Sequence, residues 1–193
     1  NAEIWDNGKY MTEAITDKAI DYIRDASKQD EPFMLYVAYN APHYPMHAPQ
    51  KYMDRFAHLP WDKQVLAAMI SCVDDGVGDI VDELERQGVR DNTCIFFMGD
   101  NGPSRESRNW LDGTLDHYYG SSAGALKGHK FSLYDGGVRV PGILNWPARI
   151  PERQVLDQPV AAMDIMPSML KAAGGDPSEY DVDGMDIMPY VAD

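Results

Sequence analysis

Two rhythms divide this chain. In some stretches apolar residues return every three or four positions, and in others they run on without alternation. Over residues 12–28, Ile15, Ala19, Ile20, Ile23 and Ala26 fall at helical spacing, with Thr12 as the expected N-cap and Asp30-Glu31-Pro32 as the stop. Residues 61–87 carry the longest such pattern. Leu66, Met69, Ile70, Val73, Val77, Ile80, Val81 and Leu84 make one stripe there, and Gly88 follows as a C-terminal cap. Asp74 lies beside the stripe and is expected to make a structural hydrogen bond, while Asp75 is expected to be solvated. A last helix is predicted over 165–173, headed by Asp164, with Pro167 tolerated in its first turn and Gly174-Gly175 ending it. Residues 33–39 (F-M-L-Y-V-A-Y) and 94–98 (C-I-F-F-M) are continuous apolar runs, the pattern of strands covered on both faces. A third strand is predicted within 138–146, ending at Pro147. Helix, tight turn and strand in succession predict an α/β fold with a parallel sheet.

Both central runs end in polar groups, and ligands of open α/β sheets sit beyond the carboxyl ends of the strands. The 94–98 run stops at Gly99, and Asp100 and Asn101 follow at once, before Gly102-Pro103 breaks the chain direction. A carboxylate beside an amide oxygen suits a hard cation such as Ca²⁺ or Mg²⁺, which takes oxygen ligands. An Asp-Asn-Gly turn with no metal has the same sequence. After 33–39 comes N-A-P-H-Y-P-M-H-A-P, in which Pro42, Pro45 and Pro49 stiffen a loop carrying His43 and His47. Residues 104–128 show no regular period, and long irregular loops inside compact domains usually carry function. From that position Arg105, Arg108, Trp110 and His117, together with His47, are candidates for substrate contacts.

Charge sharpens this picture. The 193 residues include 31 acidic and 17 basic side chains, a net charge of −14. That balance argues against non-specific nucleic-acid binding, and an anionic substrate would need a locally basic site. Arg105, Arg108, Lys127, Lys130 and Arg139 form the densest basic cluster along the chain. Cys72 and Cys94 lack metal-ligand spacing and are expected to be buried thiols. No apolar run approaches the length of a membrane span. The chain opens N-A-E-I-W-D, which suggests an internal piece of something longer.

Several anchors in fixed order then resemble the sulfatase family. They are Y-N-A-P-H-Y-P-M-H-A-P at 39–49, D-N-T-C-I-F-F-M-G-D-N-G at 91–102 and G-H-K-F-S-L-Y-D-G-G-V-R-V-P at 128–141. Trp146-Pro147, residues 164–174 and Asp183-Gly184 agree as well. The resemblance implies an alkaline-phosphatase-like α/β sandwich with a largely parallel central sheet, of which this chain is the C-terminal portion. It implies one partial catalytic domain over 1–193, with 176–193 as the possible start of a C-terminal subdomain. It also implies hydrolysis of a sulfate monoester of a sulfated carbohydrate or aryl compound, using a formylglycine nucleophile and a divalent cation, usually Ca²⁺. Asp100 and Asn101 match the family's strand-end metal ligands, His43 its histidine at the sulfate or leaving oxygen, and Lys130 its sulfate-binding lysine. Periplasmic, secreted or lysosomal placement is the family expectation.

Departures from the pattern matter equally. The family nucleophile is the Cys or Ser of a C/S-x-P-x-R motif. Cys72 stands in C-V-D-D-G and Cys94 in C-I-F-F-M, and Asn101-Gly102-Pro103-Ser104-Arg105 has an amide where the nucleophile belongs. The family's first metal-binding aspartates, a further Lys and a further His have no match here. Asp135 replaces the usual Glu before Gly-Gly. The chain alone is therefore expected to be inactive, with formylglycine supplied from outside it. Rival readings are a phosphodiesterase or phosphonate monoester hydrolase of the same superfamily, or a non-catalytic fragment or pseudoenzyme.

Overall fold

The structure, a computed structural model, describes residues 8–105 and 121–191. In chain order its elements are α1 (Met11–Ala26), α2 (Gln50–Met53) and α3 (Trp61–Arg86), then β1 (Ile95–Met98), α4 (Asp135–Val138) and β2 (Gly142–Asn145), and last α5 (Ile165–Ala172) and α6 (Met188–Val191). The long predicted helices form within two residues of their expected ends. Gly88 closes α3 at φ +71°, with Val89 N–H donating to the Leu84 carbonyl and Gly88 N–H to that of Glu85. Gly174 ends α5 in the same way, at φ +88°. Both are the six-to-one closure that favours glycine in the left-handed region.

Packing of α1 against α3 makes the core. Ala14, Ala19 and Ile23 of α1 are buried, as are Val65, Ala68, Met69, Cys72, Val73 and Leu84 of α3. The buried face of α3 is thus rotated from the predicted stripe. Ile70 is 48% exposed, and Val65, Ala68 and Cys72 take its place. Small residues set this rotation. A Cβ at Gly76 would stand 2.4 Å from Thr16 Oγ1 and 2.9 Å from the Tyr39 hydroxyl, so the helices meet where α3 has no side chain. Glu83 is buried on the same face and accepts from Arg24 Nε at 2.9 Å and Arg24 Nη2 at 3.1 Å, with Arg86 and Gln87 as further donors.

Three local expectations are corrected. Thr12 does not cap α1; Tyr10 occupies that position, and Thr12 is buried with its carbonyl accepting from Thr16 Oγ1 at 3.0 Å. Asp74 is exposed, and it is Asp75 that is engaged, paired with Arg55 at 2.7 and 2.9 Å. Residues 33–39 enter no ladder among the described residues, and their exposure alternates, with Met34 and Tyr36 outward at 61% and 85%. Side-chain hydrophobicity signals that both faces are to be covered, and the described residues cover one.

The described ladder also differs from the expected parallel sheet. β1 pairs antiparallel with β2, Ile95 opposite Asn145 and Met98 opposite Gly142. After α4 the chain returns alongside β1 as β2, running in the opposite direction. Beyond β2, Asp164 pins the tail. Its carboxylate accepts from Ala161 N–H at 2.8 Å and Met185 N–H at 2.9 Å, while Ser168 Oγ accepts from Ile187 N–H at 3.0 Å. Met185 and Ile187 of the tail are thereby tied to Asp164 and to Ser168 of α5.

Candidate functional site

His43 is positioned from the core outward. Tyr39 ends the apolar segment with its hydroxyl 2.8 Å from Thr16 Oγ1, locked at the α1–α3 crossing. Ala41, Met46 and Ala48 of the proline loop pack on Val65 and Met69 of α3. His43 sits between these anchors, its N–H donating to the Asn40 carbonyl at 2.9 Å. The Ala41–Pro42 and Tyr44–Pro45 peptide bonds on either side are cis. The ring is exposed, tilted against Tyr44 with centroids 4.4 Å apart, and its Nδ1 lies 3.0 Å from the Tyr44 carbonyl oxygen.

Lys130 is positioned by main-chain stitching. Gly102 N–H donates to the Gly137 carbonyl at 2.8 Å, Lys130 N–H to the Pro103 carbonyl at 2.9 Å, and Gly136 N–H to the Lys127 carbonyl at 2.7 Å. These strands of backbone approach too closely for side chains. A Cβ at Gly102 would stand 1.9 Å from the Gly136 oxygen, one at Gly136 2.5 Å from the Gly128 oxygen, and one at Gly137 2.2 Å from the Ser132 oxygen. The loop after β1 and the 127–137 segment are therefore one interlocked unit. Asp100 and Asn101 enter it from β1 on one side, and Lys130 from the other.

His43 and Lys130 meet across 87 residues of sequence, Lys130 Nζ lying 3.1 Å from His43 Nε2. Asp100 is exposed and Asn101 half-buried, three and two residues before Pro103, whose carbonyl holds Lys130. Asn101 Nδ2 donates to the Gly102 carbonyl at 2.8 Å, so Oδ1 is the end of the amide left for a cation. That orientation, with the Asp100 carboxylate adjacent, fits a hard divalent ion, which takes six to eight oxygens. It fits as part of a shell: among the described residues no three His, Cys, Asp or Glu side chains converge for a metal.

Other predicted contacts distribute differently. The His47 ring meets Tyr10 edge-on at 5.3 Å, and its carbonyl accepts from the Tyr10 hydroxyl at 2.9 Å. Arg105 is exposed at the end of the described loop. Arg108, Trp110 and His117 lie outside the described residues. Lys127, part of the basic cluster, stands 3.9 Å over the Tyr134 ring. Neither thiol is a poised nucleophile. Burial pushes Cys94 up to about 11 despite Arg90, and burial also raises Cys72, against a lowering contact with Tyr52.

Sequence reasoning missed three features of the site. His129 Nδ1 lies 2.6 Å from the Lys130 carbonyl, and His129 N–H donates to Ser132 Oγ at 3.1 Å, pinning the turn that presents Lys130. Phe131 adopts φ +74°, rare for a residue with a side chain, and its 79%-exposed ring sits 5.2 Å from Lys130 Nζ. The Tyr44 carbonyl is the third. Only the adjacency of His129 to Lys130 was visible in the sequence.

The loop after β1 thus carries the strand-end Asp100-Asn101 pair and, through its Pro103 carbonyl, holds the turn whose Lys130 reaches His43. The chain belongs to the sulfatase family: the family model named Sulfatase matches residues 1–175. The uncharacterized sulfatase YdeN of Escherichia coli is 35% identical over 95% of the chain, which spans 31% of that protein. N-acetylgalactosamine-6-sulfatase of Mus musculus is 31% identical over 93% of the chain, which spans 32% of it. Among solved structures, Ps i-CgsB in complex with k-i-k-neocarrahexaose superposes with a TM-score of 0.85 at 34% identity, covering 98% of this chain and 40% of that one. Over its length the chain therefore has the sulfatase fold. It spans about a third of the curated relatives it matches.

Proposed function

We propose that this chain supplies the anion-binding and proton-handling half of a sulfuric ester hydrolase that cleaves a sulfate monoester of a carbohydrate. The observation that carries the reading is the contact of Lys130 Nζ with His43 Nε2 at 3.1 Å, together with the hydrogen bond of Lys130 N–H to Pro103 in the loop that bears Asp100 and Asn101. Lys130 places a positive charge where the sulfuryl oxygens would lie, in a chain whose net charge of −14 otherwise repels them. His43 sits beside it as the group able to pass a proton to the leaving oxygen. Asp100 and Asn101 would hold Ca²⁺ or Mg²⁺, which when bound supplies Lewis-acid polarisation of the ester. The nucleophile comes from none of these residues: both described thiols are held protonated, and Asn101 occupies the motif position. A formylglycine outside the chain fits that gap.

The carbohydrate preference is supported by relatives named for N-acetylgalactosamine-6-sulfate and crystallised with a neocarrahexaose, and by the Phe131 ring beside Lys130, a face on which a sugar can stack. In a polypeptide that joins this chain to the nucleophile, His43→Ala should lower kcat/KM for a sulfated oligosaccharide by about 10²–10⁴. Faster hydrolysis of bis(4-nitrophenyl) phosphate than of any sulfate ester would replace the sulfatase reading with the phosphodiesterase one. The 193 residues alone should turn over neither.

A further inference from the structure

We propose that the main-chain carbonyl of Tyr44 is a positioning group. It fixes His43 as the Nδ1–H tautomer, so that the His43–Lys130 pair carries a single positive charge, with the proton on Lys130 and a bare Nε2 on His43. A carbonyl oxygen only accepts, so the ring nitrogen 3.0 Å from it, Nδ1, carries a hydrogen. An ammonium only donates, so the ring nitrogen 3.1 Å from Lys130 Nζ is the acceptor. An imidazolium in that place would aim an N–H at an ammonium, two cations at hydrogen-bond distance with no acceptor between them. Exchanging the roles, a neutral amine facing an imidazolium, keeps the net charge. It is disfavoured because an alkyl amine holds a proton roughly four decades more tightly than an imidazole.

This rests on the sulfate-ester reading only for its consequence. His43 does not enter the reaction charged. A proton passing from Lys130 Nζ to His43 Nε2 leaves a neutral amine and an imidazolium, with total charge unchanged. The pair can therefore hand on one proton, and it originates on Lys130. The lysine holds the charge at rest and is the source of the proton, and during transfer that charge moves onto His43. Which ring nitrogen is protonated is set by a backbone oxygen that no side-chain substitution removes.

The test uses the full 193-residue chain labelled with ¹⁵N, and long-range ¹H–¹⁵N spectra of the imidazoles at neutral pH. Wild type should show His43 as the Nδ1–H tautomer with Nε2 unprotonated. An Nε2–H tautomer or an imidazolium overturns the proposal. Lys130→Met should keep the same tautomer, because the Tyr44 carbonyl is untouched. A mixture of tautomers in that variant would assign the selection to Lys130 and overturn the role given to Tyr44. Wild-type spectra decide the first point even if the variant fails to fold. Titration with sodium methyl sulfate, carried out on a polypeptide that joins this chain to the nucleophile, separates this from the functional reading. The expected tautomer with no response of His43 to methyl sulfate would sink the sulfate-ester site and uphold the assignment.

Discussion

The α1–α3 layer and the glycine-stitched loop are held together by opposite means. In the first, side chains do the work: Ile23, Val65, Met69 and Leu84 are nearly inaccessible, and the one buried carboxylate, Glu83, is met by Arg24, Arg86 and Gln87. In the second, side chains are excluded. Gly102, Gly136 and Gly137 let backbone meet backbone, and the chemical groups stand outward on the rigid loop so made. Burial gives stability at the expense of access, whereas main-chain interlocking gives rigidity and leaves side chains in solvent. His43 draws on both regions, since its loop is anchored in the first and its ring reaches the second.

Substitutions can break the contrast, starting with the largest effect. Ile23→Ala should cost about 2–5 kcal/mol of global stability, read from chemical denaturation. Gly102→Ala should cost about 1–3 kcal/mol, because the Gly136 oxygen is backbone and cannot swing aside. Its effect should be local: hydrogen exchange of Lys130 N–H should accelerate while α1 and α3 amides stay protected. Equal loss of protection in the helices would show one cooperative unit instead of two. Ile70→Ala should move stability by no more than about 0.5 kcal/mol, since half of that side chain is already in solvent.

Acid provides a further test that touches the helical layer alone. Hydrogen bonds from Arg24 and then Gln87 hold the Glu83 carboxyl below its ordinary value of 4.5. The unfolded chain therefore takes up the proton first as pH falls. The stabilisation is complete above pH 4.5 and is lost as pH drops through the depressed folded value. Wild type should lose stability in that window more steeply than Glu83→Gln, measured by urea midpoints at a series of pH values. Parallel curves would remove Glu83 from the account.

How far the sequence was readable follows the same division. Helices announce themselves by period, so α1, α3 and α5 were placed within two residues, and Gly88 and Gly174 marked the ends of two of them. The rotation of α3 was not readable, because it depends on Gly76 receiving Thr16 and Tyr39 from elsewhere in the chain. Apolar runs announce strands but not their pairing, so the strands at 94–98 and 138–146 were expected and their antiparallel register was not. His43, Lys130, Asp100 and Asn101 were identified by motif order. That the first two touch is a long-range fact, and the contributions of Tyr44, His129 and Phe131 are backbone geometry with no residue-type signature.

The two sulfurs have a practical consequence. With both thiols driven toward the protonated form by burial, alkylating reagents at neutral pH should pass them by. A single cysteine introduced on the exposed face of α3, at Asp74 for instance, could then carry a spectroscopic label without competition from the native pair. Distances from such a probe to a paramagnetic sulfate mimic would chart the approach of ligand to the loop.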